Sequence, residues 1–328
     1  MTKKSFYISF WAIVLFAISI IVLVSVNNGA IDLAISQNLV SGLAPGERYS
    51  TNVFGRIFEI FGEQPLYIFA QLFLALTFVV LDKRRPRVWC LLGQVISGFL
   101  SIVVGFAAIH SIVRYFCNYY APESNWISFF SPLPFVVYAL SGLIISSIYY
   151  FILRKPLQRL IDYDLNTLIR IAVVAFVAVA IGQILVQFIL KPVFSRVRYR
   201  AINVNSSLTF LPWYQVNSSV PTDLGVNIKD DFHSFPSGHV ASASTTFVLM
   251  LIPCYYQNMR TKKVYLLCTL IPAVYTITVA LARIIYGAHY FSDVFFGFLI
   301  IFAFIWIAYF VQRAVNKENP FIEAKKIK

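Results

Sequence analysis

Long apolar stretches recur along this chain, separated by short polar joints. Residues 5–31 carry no charged side chain, and comparable stretches lie near 65–81, 88–113, 129–153, 166–190, 238–257, 264–284 and 290–312. At a helical rise of about 1.5 Å per residue, each is long enough to cross roughly 30 Å of hydrocarbon. The first is also longer than the apolar core of a cleavable signal peptide, about 7–15 residues. The pattern therefore predicts an all-α, polytopic membrane helix bundle of about eight spans.

Composition agrees with that reading. Hydrophobic residues make up 59% of the chain and charged residues 12%, where soluble domains carry roughly 25% charged. A water-soluble globule of this size needs more polar surface. The 31 Phe and 19 Tyr likewise exclude a disordered chain. Cys90, Cys117, Cys254 and Cys268 form no CxxC pair, so neither a disulfide framework nor a zinc site is expected.

The 27 Lys+Arg outnumber the 14 Asp+Glu, for a net charge of +13. With the N-terminus inside, most cations fall on the cytoplasmic side. They include Arg84, Arg85 and Arg87, Arg154, Lys155 and Arg159, and Arg260, Lys262 and Lys263, as the positive-inside rule requires. The excess charge thus reads as a topology signal facing anionic lipid, with no nucleic-acid partner. Both termini are expected in the cytoplasm and the chain in a cell membrane of bacterial type. Three regions follow: N-terminal spans over 1–165, a membrane core over 166–313 and a cytoplasmic tail over 314–328. Within the outer segment 28–64, Val53, Ile57, Ile60 and Phe61 recur at helical spacing. They predict either a short interfacial helix that steers a lipid headgroup or a loop packed on the bundle.

Charges at the edges of apolar spans are costly and point to function. Three clusters stand out. Arg283, His289 and Asp293 sit at the outer hairpin of the last two spans. The run His233-Ser-Phe-Pro-Ser-Gly-His239 opens the sixth span, with Ser237 placed as a helix N-cap. Lys191 and Arg198 follow the fifth span. Span counting puts all three on one membrane face, the extracytoplasmic one.

Taken together, Lys191-x6-Arg198, Pro236-Ser237-Gly238-His239 and Arg283-x5-His289-x3-Asp293 resemble the three-part signature of the type-2 phosphatidic acid phosphatase superfamily. Those are membrane lipid phosphate phosphatases related to vanadium haloperoxidases and glucose-6-phosphatase. The resemblance spans about residues 166–312 and implies a phosphatase/haloperoxidase-like helical core in the C-terminal half. Two positions depart from the family pattern: Tyr199 stands where Pro is usual, and Ala282 where Ser is usual.

The chemistry implied is metal-independent hydrolysis of a lipid phosphate monoester or diphosphate, with no cofactor. Such a reaction spreads negative charge over the phosphoryl oxygens. Lys191, Arg198 and Arg283 supply fixed positive charge, and backbone N–H groups at Ser237 and Gly238 would complete a phosphate cradle. At i, i+4 on one helix, Asp293 lies within reach of His289 and would accept its Nδ1 proton, leaving Nε2 free. The family motif makes His289 the nucleophile of a phosphohistidine intermediate and His239 the proton donor to the leaving alkoxide. A phosphotransferase, a phosphatase of a soluble ester and a non-catalytic anion or lipid transporter are the competing readings. An intact His–Asp pair argues against the last, because binding alone needs no nucleophile.

Other residues have plainer expectations. His110 matches no motif and reads as an interfacial polar residue. Asp230, Asp231 and His233 suggest a metal site only weakly, since adjacent carboxylates diverge on most backbones. The sequons at Asn205 and Asn217 carry no weight without a known compartment.

Overall fold

In a computed structural model of the chain, the described residues are 3–83, 88–121, 123–128, 131–218, 230–256 and 259–315. The basic joint at Arg84, Arg85 and Arg87, Lys229 and the tail from 316 fall outside them. Most of the described residues are helical, and none of them forms a strand. Helix α1 (Lys3–Ser25) gives way to three left-handed residues, Asn27, Asn28 and Gly29, that redirect the chain into α2 (Ala30–Leu39). Asn and Gly are the residues that adopt such φ values at least cost. Helices α3 (Val53–Phe61), α4 (Gln64–Lys83) and α5 (Val88–Tyr120) follow.

The helical run α6 (Pro132–Ile184) is two helices joined across a kink at Asp164. The stretches 129–153 and 166–190, read as two spans, fall on either side of that kink. Asp164 alone leaves helical geometry, at φ −161° and ψ 90°. Its side chain accepts a hydrogen bond from the Thr167 N–H at 3.0 Å, as an N-cap does where a helix restarts. The polar joint 154–165 marks a change in hydropathy, but its Leu, Gln, Arg and Ile residues are compatible with helix. Seven helical stretches among the described residues are long and apolar enough to cross a bilayer, and one of them, Pro132–Val204, contains the parts of both these stretches that are described.

The chain divides into two compact units, residues up to Phe58 with those from Val177 onward, and Glu59–Phe176. This differs from the division at 165/166 expected above, because α1 and α2 pack with the C-terminal half. In the second unit, Ala75, Leu76, Val79 and Val80 pack against Leu157 and Ile161. Gly105 and Gly142 let α5 and α6 approach so closely that a Cβ on Gly105 would lie 2.9 Å from the Gly142 Cα. Gln71 and Ser101 exchange hydrogen bonds across α4 and α5, the Gln71 amide donating to the Ser101 carbonyl at 2.7 Å. His110 is buried against Phe106 and Tyr138 in this unit. All four cysteines are free thiols.

The first unit holds the motifs. After α6, a π-helical turn (Leu185–Leu190) leads into the short α7 (Lys191–Phe194) and α8 (Tyr199–Val204). Then come α9 (Gly238–Ser244), continued by a 3-10 stretch (Thr245–Leu251), α10 (Ile252–Tyr255), α11 (Lys262–Ile285) and α12 (Phe291–Val315). Ala241, Ser242, Ala243 and Ser244 are all buried, so the small residues of α9 serve close helix packing. Val240, Ala243, Val279, Ile284 and Val294 form the core that joins α9, α11 and α12. The amphipathic stretch 53–61 is helical, with Val53, Ile57 and Phe61 exposed and Ile60 buried. Its Gly55 packs on Tyr286, with 3.0 Å from a Cβ position to the Tyr286 Cβ.

Candidate active site

Backbone hydrogen bonds stitch the three sequence clusters together. The Arg198 N–H donates to the Asp231 carbonyl at 2.8 Å, and the Ser234 N–H to the Arg196 carbonyl at 3.0 Å. The Arg200 N–H donates to Gly287 O at 2.9 Å, and the Ser237 N–H to Asp293 O at 2.9 Å. Gly287, at φ +75°, turns the α11–α12 hairpin in a conformation that penalises any side chain. Lys191, Arg198, His239, Arg283, His289 and Asp293 therefore belong to one neighbourhood although they come from distant parts of the chain.

Lys191 opens α7 and meets the start of α9. A Cβ on Gly238 would lie 2.8 Å from Lys191 Nζ and 2.5 Å from Gln187 Nε2. Glycine thus lets the ammonium close over the helix N-terminus. Opposite, Gly297 presses α12 onto the Ser237 carbonyl, 2.5 Å from a Cβ position. His239 follows in the first turn of α9 and is 5% exposed.

His289 is 1% exposed, and its Nδ1 lies 2.7 Å from the Ser234 carbonyl oxygen. A carbonyl only accepts, so Nδ1 carries the proton and the neutral ring keeps its lone pair on Nε2. Burial holds the His289 pKa well below its ordinary value, and the positive charges of Arg198, Arg283 and Lys191 add to the effect. The expected direct bond from His289 Nδ1 to Asp293 is replaced: Asp293 Oδ2 stands 3.6 Å away. Asp293 instead accepts from Ser234 Oγ, from the Tyr290 N–H at 2.8 Å and from Arg196. It reaches His289 through the Ser234 residue and through its charge.

Ser237 also differs from expectation. It occupies the N-cap position of α9 but makes no capping hydrogen bond. Its N–H is committed to Asp293, so it cannot join a phosphate cradle. Its Oγ, by contrast, is buried and has no hydrogen-bond partner among the described residues. A buried orphan hydroxyl costs about 1–3 kcal/mol unless something arrives to satisfy it. The hydroxyl, not the amide, is the group at Ser237 left to bind an anion.

Arg198 is held by Asp230, with Nη2 to Oδ1 at 2.9 Å and Nε to the backbone carbonyl at 2.7 Å. The same carboxylate takes Arg200 Nη2 at 2.9 Å, and Asp231 pairs with Arg48 at 3.0 Å. These acids therefore answer arginines; no group of three or more His, Cys, Asp and Glu suited to a metal exists among the described residues. Burial lowers the His233 pKa, reinforced by Lys191, with Asp230 opposing. Arg283 is fully buried with its guanidinium 5.4 Å from the Tyr286 ring centroid. Of the two departures, Tyr199 packs edge-on against Tyr290 at 6.3 Å, and Ala282 is fully buried.

Sequence reasoning missed Asp32, Arg196, Ser234 and Ser292. Arg196 is fully buried and joins Asp32, Ser292 and Asp293. Asp32, the first charge after an apolar run, was the available signal. Its partner lies 164 residues away, beyond any spacing rule.

Residues 171–317 match the family model of the PAP2 superfamily. That segment is similar to the PAP2 superfamily. Comparison with curated proteins gives no match, and comparison with solved structures gives none. PAP2 proteins are generally phosphatases, so the match suggests a phosphoric ester hydrolase and agrees with the motifs that the geometry gathers. The PAP2 segment contains Lys191, Arg198, Ser237, Gly238, His239, Arg283, His289 and Asp293. It does not contain Asp32, which completes the Arg196 network from α2.

Proposed function

We propose that this protein hydrolyses the phosphate of a membrane lipid at the extracytoplasmic face, through a phosphohistidine formed on His289. The observation that carries the reading is His289 Nδ1 held 2.7 Å from the Ser234 carbonyl oxygen, with burial and the charges of Lys191, Arg198 and Arg283 lowering the pKa of the ring. A nucleophile of this kind is suited to an anion that the cations have drawn in. The distribution of loop cations along the sequence supports the membrane face.

In the first step, the Nε2 lone pair attacks phosphorus and the bond from phosphorus to the leaving oxygen breaks. His239 gives its proton to that oxygen, releasing the lipid alcohol. In the second step, neutral His239 takes a proton from water, whose oxygen attacks phosphorus as the P–N bond breaks. Inorganic phosphate leaves and both histidines return to their starting states. Lys191, Arg198, Arg283 and the Ser237 hydroxyl hold the phosphoryl oxygens throughout.

The test is phosphate release by the full chain in detergent with EDTA present. Phosphatidic acid, phosphatidylglycerol phosphate and a polyprenyl diphosphate are offered in parallel. Release from at least one is expected, and His289→Ala should lower it by about 10³-fold or more. No release from any lipid phosphate overturns the reading. Near-normal turnover by His289→Ala overturns the nucleophile.

A further inference from the structure

The network under His289 contains two carboxylates and one guanidinium, all sealed from water. Arg196, Asp32 and Asp293 each have fully buried side chains. Arg196 Nη2 donates to Asp32 at 2.8 Å, and Nη1 donates to Asp293 and, at 2.7 Å, to Ser292 Oγ. Its Nε donates to the Leu211 carbonyl at 2.8 Å, and its guanidinium lies 4.3 Å from the Tyr290 ring centroid.

Both acids sit among partners that favour the charged form. Asp32 receives Arg196 Nη2, the Ser292 N–H at 2.8 Å and the Ser292 hydroxyl. Asp293 receives Arg196 Nη1, the Ser234 hydroxyl and the Tyr290 N–H. The guanidinium and the backbone N–H groups can only donate, and such fixed donors favour the ionised carboxyl. With both acids ionised the trio carries a net charge of −1. Burying an unbalanced charge is costly, and a single Arg–Asp pair would have satisfied the packing more cheaply.

We propose that Asp32 is a positioning residue whose charge offsets Arg196, so that Asp293 presents an undiminished negative field to His289. The inference rests on the phosphohistidine reading above and extends it to a residue of α2, outside the PAP2 segment. Attack by Nε2 leaves positive charge on the imidazole ring, whose Nδ1–H cannot depart while Ser234 O holds it. A negative charge 3.6 Å from that nitrogen stabilises the phosphorylated ring. With Asp32 neutral, the guanidinium belongs to Asp293 alone and the trio becomes neutral. The charges of Lys191, Arg198 and Arg283 that act on His289 are all positive.

The decisive variant is Asp32→Asn in the full chain, with Asp32→Ser as a smaller neutral alternative and Asp32→Glu as the charged control. Asp32→Asn leaves a one-to-one Arg196–Asp293 pair, which favours folding. Folding is checked by size-exclusion elution and thermal unfolding in detergent. Nitrogen-15 NMR of the His289 ring should show the neutral variants titrating lower by about 0.5–1 pH unit, a change of about three- to tenfold in proton affinity. On the lipid phosphate that the native chain turns over, kcat should fall by about the same factor with KM changed less than twofold. Asp32→Glu should recover most of both.

Unshifted His289 titration with native kcat in a folded neutral variant overturns the proposal. So does loss of folding in both neutral variants while Asp32→Glu folds, since the charge would then serve packing alone. The NMR arm needs no turnover. A chain that releases no phosphate but shows the His289 shift would refute the phosphatase reading and leave the electrostatic role of Asp32 standing.

Discussion

The Ser234 carbonyl oxygen lies 2.7 Å from His289 Nδ1, and this one backbone contact decides which imidazole nitrogen is free to react. It also sets a pH prediction. Burial and three nearby cations hold the His289 pKa well below its ordinary value, which is about 6.5. The native ring therefore stays neutral as pH falls through 6.5, and loses its lone pair only at the lower folded value. In that window the unfolded chain binds more protons than the folded one, so this group's effect on stability worsens as pH drops. Nitrogen-15 NMR of labelled histidine, with the resonance assigned by its loss in His289→Gln, should show the Nδ1–H tautomer persisting below pH 6.5. Titration at or above that value, or an Nε2–H tautomer, refutes the assignment.

Two glycines at the same site should fail in different ways. A methyl at Gly238 meets the ends of two flexible chains, Gln187 and Lys191, which can swing aside. Gly238→Ala should therefore fold, but with Lys191 displaced its KM should rise by about tenfold, the effect of losing one charge-assisted contact. A methyl at Gly297 meets the Ser237 carbonyl instead, and backbone cannot yield without separating α9 from α12. Gly297→Ala should lower both the unfolding temperature and kcat. Equal thermal stability of the two variants would contradict this contrast.

Much of the fold was legible because hydropathy and helix length are local properties. The stretches 264–284 and 290–312 match α11 and α12 closely, and residue spacing alone marked Arg283, His289 and Asp293. What escaped was conformation without a hydropathy signal. The polar joint 154–165 separates two apolar stretches, and the chain there stays helical up to the kink at Asp164 because most of its residues are good helix formers. The His289–Asp293 pairing inferred from i, i+4 spacing was right about proximity and wrong about the bond. The loop carrying Ser234 inserts its carbonyl between them, and loop placement leaves no periodic trace. Asp32 was hidden for a third reason: its meaning depends on Arg196, brought close only when α2 packs on the C-terminal half.

Asp230 should act against substrate binding. Its carboxylate holds both Arg198 and Arg200 at 2.9 Å while remaining 42% exposed. A phosphate gripping Arg198 must compete with it. Asp230→Asn keeps the backbone carbonyl that bonds Arg198 Nε but removes the competing charge. Partly exposed pairs are worth up to about 1 kcal/mol, so KM and the inhibition constant of inorganic phosphate should both fall by about two- to fivefold, with kcat unchanged. A rise in both, measured by steady-state kinetics with added phosphate, would mean that Asp230 chiefly orients Arg198.

The two histidines can be separated by the leaving group. His239, buried in the first turn of α9, is assigned the proton that an alkoxide needs and an aryloxide does not. His239→Ala should therefore slow release from a lipid alkyl phosphate by about 10²–10⁴-fold, the usual contribution of a positioned acid. Given a nitrophenyl phosphate, the same variant should form the phosphoenzyme readily, because that leaving group departs unaided. It should then stall, since no base remains to activate water. The expected trace is a burst of nitrophenolate close to one equivalent of enzyme, followed by slow turnover, with acid-labile phosphate retained on the protein. His289→Ala should give no burst with either ester. If His239→Ala slows both esters equally and shows no burst, His239 serves binding or packing, and the proton must come from another group.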